Sequence, residues 1–190
     1  MLGTPPTVVD GVMRFGRYPT VEDIPRMSLT STELYVAMAV RTTSLGTIDL
    51  VSANNRLHDP WNWPRMVASG SPHRGGGFEA LYGQDGFDPV ISRSAEGSFI
   101  QGAWFVAEFC FSAAGTTVRV IHGTTDYGDV ATPLPEGAVL AETTTLFISP
   151  LSAGGDPVET DIAALVVHDR IPTPAERASI RAVMAESVPG

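Results

Sequence analysis

The chain has no lysine, a single cysteine and no long apolar run. Its 12 basic residues are all arginines, dispersed without a run of three, against 21 acidic residues and a net charge of −9. Nucleic-acid binders concentrate positive charge on one face, so no nucleic-acid partner is expected here. A lone cysteine, Cys110, excludes an intrachain disulfide and a thiolate-rich metal site. Lying in the apolar run Ala103–Ser112, it is expected to be a small buried hydrophobe. No stretch approaches the roughly 20 apolar residues that span a bilayer as a helix, so membrane insertion is not expected. The opening Met1-Leu-Gly-Thr-Pro-Pro has neither a basic nor an apolar segment, and export through a signal peptide is not expected either.

What is present suits one domain over residues 1–190. The chain is 43% apolar with 19 Gly and 15 Pro, and at this length roughly 70% of the unfolded surface can be buried without a disulfide or metal staple. Period-two alternation dominates. In Glu33–Thr42, Leu34, Val36, Met38 and Val40 share one face while Tyr35, Ala37, Ala39 and Arg41 share the other. In Gly102–Ser112, Phe105, Ala107, Phe109 and Phe111 oppose Trp104, Val106, Glu108 and Cys110, so Glu108 needs either water or a partner. Shorter strands are predicted at Val12–Phe15, Thr47–Ser52, Pro64–Ser69, Phe78–Tyr82, Val90–Ser92, Thr116–His122, Thr143–Ile148 and Asp161–Asp169, with Gly-rich turns between them. About ten short strands predict an all-β antiparallel sandwich or barrel. Met1–Val9 is expected to be a flexible or attachment arm.

Helical signals gather at one place. Thr173-Pro174-Ala175-Glu176 has an N-cap Thr, Pro at the first helical position and Glu where a capping box needs it. Ile180, Val183, Met184 and Val188 then form an apolar stripe, opposite Arg177, Arg181 and Glu186. A helix over Pro174–Ser187 is predicted.

A strand, an Asp-Arg step and a Thr-Pro-x-Glu cap at the end of an all-β chain (Ile162–Arg170, then Thr173–Glu176) resemble the laminin-G-like jelly rolls of the concanavalin A-like lectin/glucanase superfamily. Val9–Gly16, Leu34–Arg41 and Thr116–Gly123 look like three further strands of that family, in its order. The resemblance implies two curved sheets with a concave face and rim loops where other members bind sugars, proteins or calcium. It leaves the ligand open. Glucanases of the superfamily carry Glu-x-Asp-x-x-Glu on one strand. Here Glu159-Thr-Asp161 begins that pattern, but Ala164 stands in place of the second Glu, so no enzyme activity is expected.

The segment Ala53–Gly77 is the richest in recognition chemistry. Trp61 and Trp63 could stack on sugar rings while His58, Asp59, Asn62 and Arg65 meet hydroxyls; equally, the two Trp could anchor a long loop. Asp126 and Asp129, placed on a rim after the Thr116–His122 strand, are the better candidates for calcium, and also read as turn chemistry. We expect a non-catalytic carbohydrate-binding or adhesion module. The expected setting is the surface of a phage-like particle assembled in the cytoplasm, as a multimer bound to other particle proteins and to cell-surface glycan. The alternatives are an excised extracellular domain, a decoration protein without glycan binding, or a degenerate glycan hydrolase.

Overall fold

The computed structural model describes residues 7–15, 26–43, 48–53, 65–71, 76–83, 88–138, 143–152 and 159–189. Thirteen strands fall into two antiparallel sheets among these residues. The seven-stranded sheet runs, in spatial order, β1 (Thr7–Val9), β2 (Val12–Phe15), β13 (Thr160–His168), β4 (Leu34–Thr42), β9 (Trp104–Ser112), β10 (Gly115–His122) and β11 (Thr125–Thr132). The six-stranded sheet runs β3 (Arg26–Ser31), β12 (Thr143–Ser152), β5 (Ile48–Ala53), β6 (Arg65–Ser71), β7 (Gly77–Gly83) and β8 (Val90–Arg93). One helix, α1 (Pro174–Glu186), follows β13.

Alternation along the strands sorts side chains between two hydrophobic clusters. Leu34, Val36, Met38 and Val40 of β4 and Phe105, Ala107, Phe109 and Phe111 of β9 point into the space between the sheets. They meet Ile48, Leu50, Phe78, Tyr82 and Leu146 of the facing sheet there. Phe78 is fully buried, with ring centroids 5.2 Å from Phe105, 5.5 Å from Phe99 and 6.4 Å from Phe109. The alternate residues Tyr35, Ala37, Ala39, Val106 and Cys110 form a second cluster on the outer face, under α1. Along one margin the sheets are tied by Ser92 Oγ, which donates to Thr116 O (2.7 Å), and Thr132 Oγ1, which donates to Ile91 O (3.0 Å).

The turn from β9 to β10 requires glycine at one position. Gly115 has φ of +126°, and a Cβ there would lie 2.1 Å from the Thr132 carbonyl oxygen.

Three strands differ from expectation. Of the segment Met1–Val9, residues 1–6 lie outside the described residues, and Thr7–Val9 forms the edge strand β1, joined to β2 by a two-residue turn in which Asp10 and Gly11 both have positive φ (51° and 78°). Asp-Gly is the residue pair that such a hairpin favours. β3 and β11 lie at sheet margins, where water can satisfy the unpaired side of a strand and a polar sequence is tolerated.

Phe78→Ala is expected to lower unfolding stability by about 3–5 kcal/mol, since it empties the meeting point of four rings. The shift of the urea midpoint at constant slope would measure it.

Candidate functional site

The outer face of the seven-stranded sheet carries two clusters of ion pairs. Its middle is covered by α1, whose start is built as the sequence indicates. Thr173 Oγ1 accepts from Glu176 N (3.3 Å), Glu176 Oε2 accepts from Thr173 N (2.7 Å), and Pro174 opens the first turn. Arg170 grips the same Glu176 carboxylate with both Nη atoms, at 3.0 and 2.6 Å. The Arg170 bond, reinforced by those from Thr173, holds the Glu176 carboxyl down to about 2.

The buried face of α1 is rotated from the predicted one. Ile180, Met184 and Val188 pack on Tyr35, Ala37, Ala39 and Cys110, but Val183 is 57% exposed. Arg177 and Arg181 are not on the far side. Glu108 lies 1% exposed beneath the helix; Arg177 Nη2 reaches its Oε2 at 3.1 Å, Arg181 Nη1 reaches it at 3.0 Å, and the Tyr35 hydroxyl donates to its Oε1. Four residues apart, the two arginines share one helix face, and the buried carboxylate draws that face down. Arg177 also bonds Asp129, which with Asp126 holds Arg119 of β10. The result is a continuous chain of hydrogen bonds and ion pairs from β4 across β9 and α1 to β11.

Burial here disfavours ionisation of Tyr35 and Cys110. Burial, and then the hydrogen bond to Glu108, push the Tyr35 hydroxyl above its ordinary value. Burial pushes the Cys110 thiol up to about 12, against the opposing pull of Arg177.

Four residues along β4 and β9, about 13 Å away, lies a second cluster. Asp161 of β13 is the Cα partner of Arg14 on β2 and of Arg41 on β4, and Arg41 is in turn the partner of Trp104 on β9. These pairings set the four side chains in one row on the outer face. Arg14 Nε lies 3.4 Å from Asp161 Oδ1; Arg41 donates from Nε (3.2 Å) and Nη2 to Oδ2. The Arg41 guanidinium sits 5.0 Å from the centroid of the Trp104 ring, the distance of a cation–π contact. A hollow of about 230 Å³ opens here, lined by Arg14, Arg41, Trp104, Val12, Asp10 and, from beyond the end of α1, Pro189.

Of the residues singled out by sequence, His58, Asp59, Trp61, Asn62 and Trp63 lie outside the described residues. Arg65 opens β6. Asp126 and Asp129 sit within the edge strand β11, which follows β10. Their oxygens engage Arg119, Arg177 and the Gly128 amide. Arg119 holds the Asp126 carboxyl below its ordinary range. No group of three or more His, Cys, Asp or Glu positioned for a metal occurs among the described residues. The Arg14–Asp161–Arg41–Trp104 row was not anticipated. Its signal was the placing of Arg41 and Trp104 on the outward positions of two recognised strands, but only the register joins them.

No family model matches the chain, and no curated protein matches its sequence. Solved structures do. The heptameric SAP-like pentraxin of Limulus polyphemus superposes with a TM-score of 0.59 at 14% identity, over 91% of this chain and 83% of its own. Botulinum neurotoxin type C, whose cell entry depends on interaction with two ganglioside molecules, gives 0.62 at 8% identity, over 99% of this chain and 46% of its own. Trypanosoma rangeli sialidase in complex with sialic acid gives 0.65 at 13% identity, over 99% of this chain but 30% of its own. The chain thus spans less than half of the toxin and under a third of the sialidase. Such likeness establishes the fold, a concanavalin A-like jelly-roll sandwich, and leaves activity open.

Two outcomes are expected from the covered face. Glu108→Ala strands two arginines under α1 and should reduce stability by about 3–5 kcal/mol, read by urea denaturation. Cys110 should resist a thiol-specific disulfide reagent at pH 8 in the folded protein and react once unfolded. Its folded value, about 12, exceeds the ordinary 9.0, so between those limits the folded state binds more protons than the unfolded one. The Cys110 contribution is therefore complete below pH 9 and declines as pH rises toward 12, which stability curves at increasing alkaline pH would follow.

Proposed function

We propose that the chain is a non-catalytic carbohydrate-binding module. The observation that carries this reading is the hollow on the outer face. It brings together an aromatic ring, guanidinium donors and a carboxylate acceptor, the groups that meet the C–H faces and hydroxyls of sugars. The fold adds support, since it is shared with a toxin that engages gangliosides and with a sialidase seen holding sialic acid. Catalysis is disfavoured by the state of Asp161, whose two oxygens are held by Arg14 and Arg41. It is also disfavoured by Ala164, which stands where the glucanase pattern carries its second Glu. Trp61 and Trp63, which lie outside the described residues, would add further aromatic rings for stacking. Single sugar sites are weak, and a multimer on the surface of a phage-like particle would gain avidity toward a host cell.

A second reading, an assembly or decoration protein of such a particle, is favoured by the exposed Val8 (68%) and Val9 (42%) on the free edge of β1. A glycan array separates the two. Saccharide binding that falls about tenfold or more in Trp61→Ala/Trp63→Ala, with an unchanged melting curve, supports the module and the role of these two rings together. Binding that persists removes that role but keeps the module. No binding to any glycan, with stable capture of other particle proteins, would replace it by the assembly protein.

A further inference from the structure

We propose that the hollow between Arg14, Arg41 and Trp104 is a subsite for the anionic group of an acidic saccharide, a carboxylate or a sulfate ester; this rests on the carbohydrate-binding reading and names its ligand class. The argument begins from unused hydrogen-bonding capacity. Asp161, 15% exposed on its side chain, already has both oxygens engaged. Arg41 uses Nε and Nη2 on that carboxylate, so Nη1 has no partner among the described residues. Arg14 approaches Asp161 only through Nε, and its Nη atoms are likewise unengaged among the described residues, on a side chain that is 52% exposed. Two guanidinium groups and Asp161 sum to +1, and Asp10 at the rim brings the hollow to zero, so what distinguishes the cluster is its surplus of guanidinium donors. Its natural complement is an acceptor-rich anion, because a guanidinium edge pairs with carboxylate or sulfate oxygens through charge-assisted hydrogen bonds.

The donors are also held in place before any ligand arrives. Trp104 fixes the plane of the Arg41 guanidinium from one side, and Asp161 fixes its edge. Arginine held this way loses little rotational freedom on binding, which favours affinity. The hollow, about 230 Å³, lies below the ~300–1,000 Å³ typical of drug-sized ligand pockets and so suits one sugar residue. Asp10, in the left-handed turn at its rim, offers an acceptor for a hydroxyl. A neutral sugar could use Asp10 but would leave most of the arginine N–H groups to water.

The test is titration calorimetry with paired saccharides that differ only in the anion: sialyllactose and sulfated lactose against lactose, and trigalacturonate against its methyl ester. At least one acidic member should bind about tenfold or more tightly than its neutral counterpart, and the carboxylate and sulfate pairs distinguish the source of the anion. Arg14→Gln should weaken that binding by about fivefold or more, with an unchanged melting curve because Arg14 is exposed. Arg41→Lys, which keeps the charge but not the fork or the stacking, should also weaken it. Equal binding of acidic and neutral partners, or binding indifferent to Arg14→Gln, overturns the subsite while leaving the carbohydrate-binding module standing. Failure of every saccharide to bind overturns both.

Discussion

The carboxylate of Glu108 organises the outer half of this molecule. A charge on the face of a sheet must either stay in water or be met by opposite charge and hydrogen bonds. Here it is met by Tyr35 from the neighbouring strand and by Arg177 and Arg181 from the helix. Small residues around it, Ala37 and Ala39, let the helix backbone approach, and Met184 fills the remaining space. The position of α1 follows from the carboxylate beneath it as much as from its own apolar stripe. Pro189 follows α1 three residues after its end, so the same docking also sets one wall of the hollow.

Ten of the thirteen described strands and the helix were legible in the sequence because their alternation is steep and their turns carry glycine. β1, β3 and β11 were not. Edge strands need only one satisfied side, so Thr125–Thr132 tolerates Asp126, Gly128 and Asp129 and looks like a turn. Asp10-Gly11, a hairpin signal, was present but overshadowed by the prolines before it. The helix was located correctly while its orientation was not. Val183 fits the spacing of an apolar stripe, yet the choice between that stripe and the adjoining Arg177–Arg181 face was decided by Glu108, 69 and 73 residues away in the chain. Local pattern states which residues share a face; it does not state what lies opposite. For the same reason the Arg14–Asp161–Arg41–Trp104 row stayed hidden, since it draws one residue from each of four strands.

The two polar clusters of the outer face contrast in a way that bears on function. Around Glu108 each group is enclosed by the helix, and the carboxylate is saturated by its partners. Around Asp161 the carboxylate is saturated as well, but the arginines that hold it keep donors that are unspent among the described residues. The first arrangement is what a fold uses to close itself. The second is poised toward something outside, and the fold, common to lectins, toxins and enzymes alike, does not by itself say what.

The position of β13 has a consequence for synthesis. This strand lies between β2 and β4, hydrogen-bonded to both, although it comes more than 110 residues after either. Until residues 160–168 leave the ribosome, the seven-stranded sheet is split, with β2 and β4 each exposing an open strand edge and the apolar face of β4 incompletely covered. Folding of this half must wait until residues 160–168 have been made, and such non-local pairing is slow. A chaperone that shields nascent β4 would act during that interval, and a ribosome stall before residue 160 would release a chain with a sticky gap at its centre.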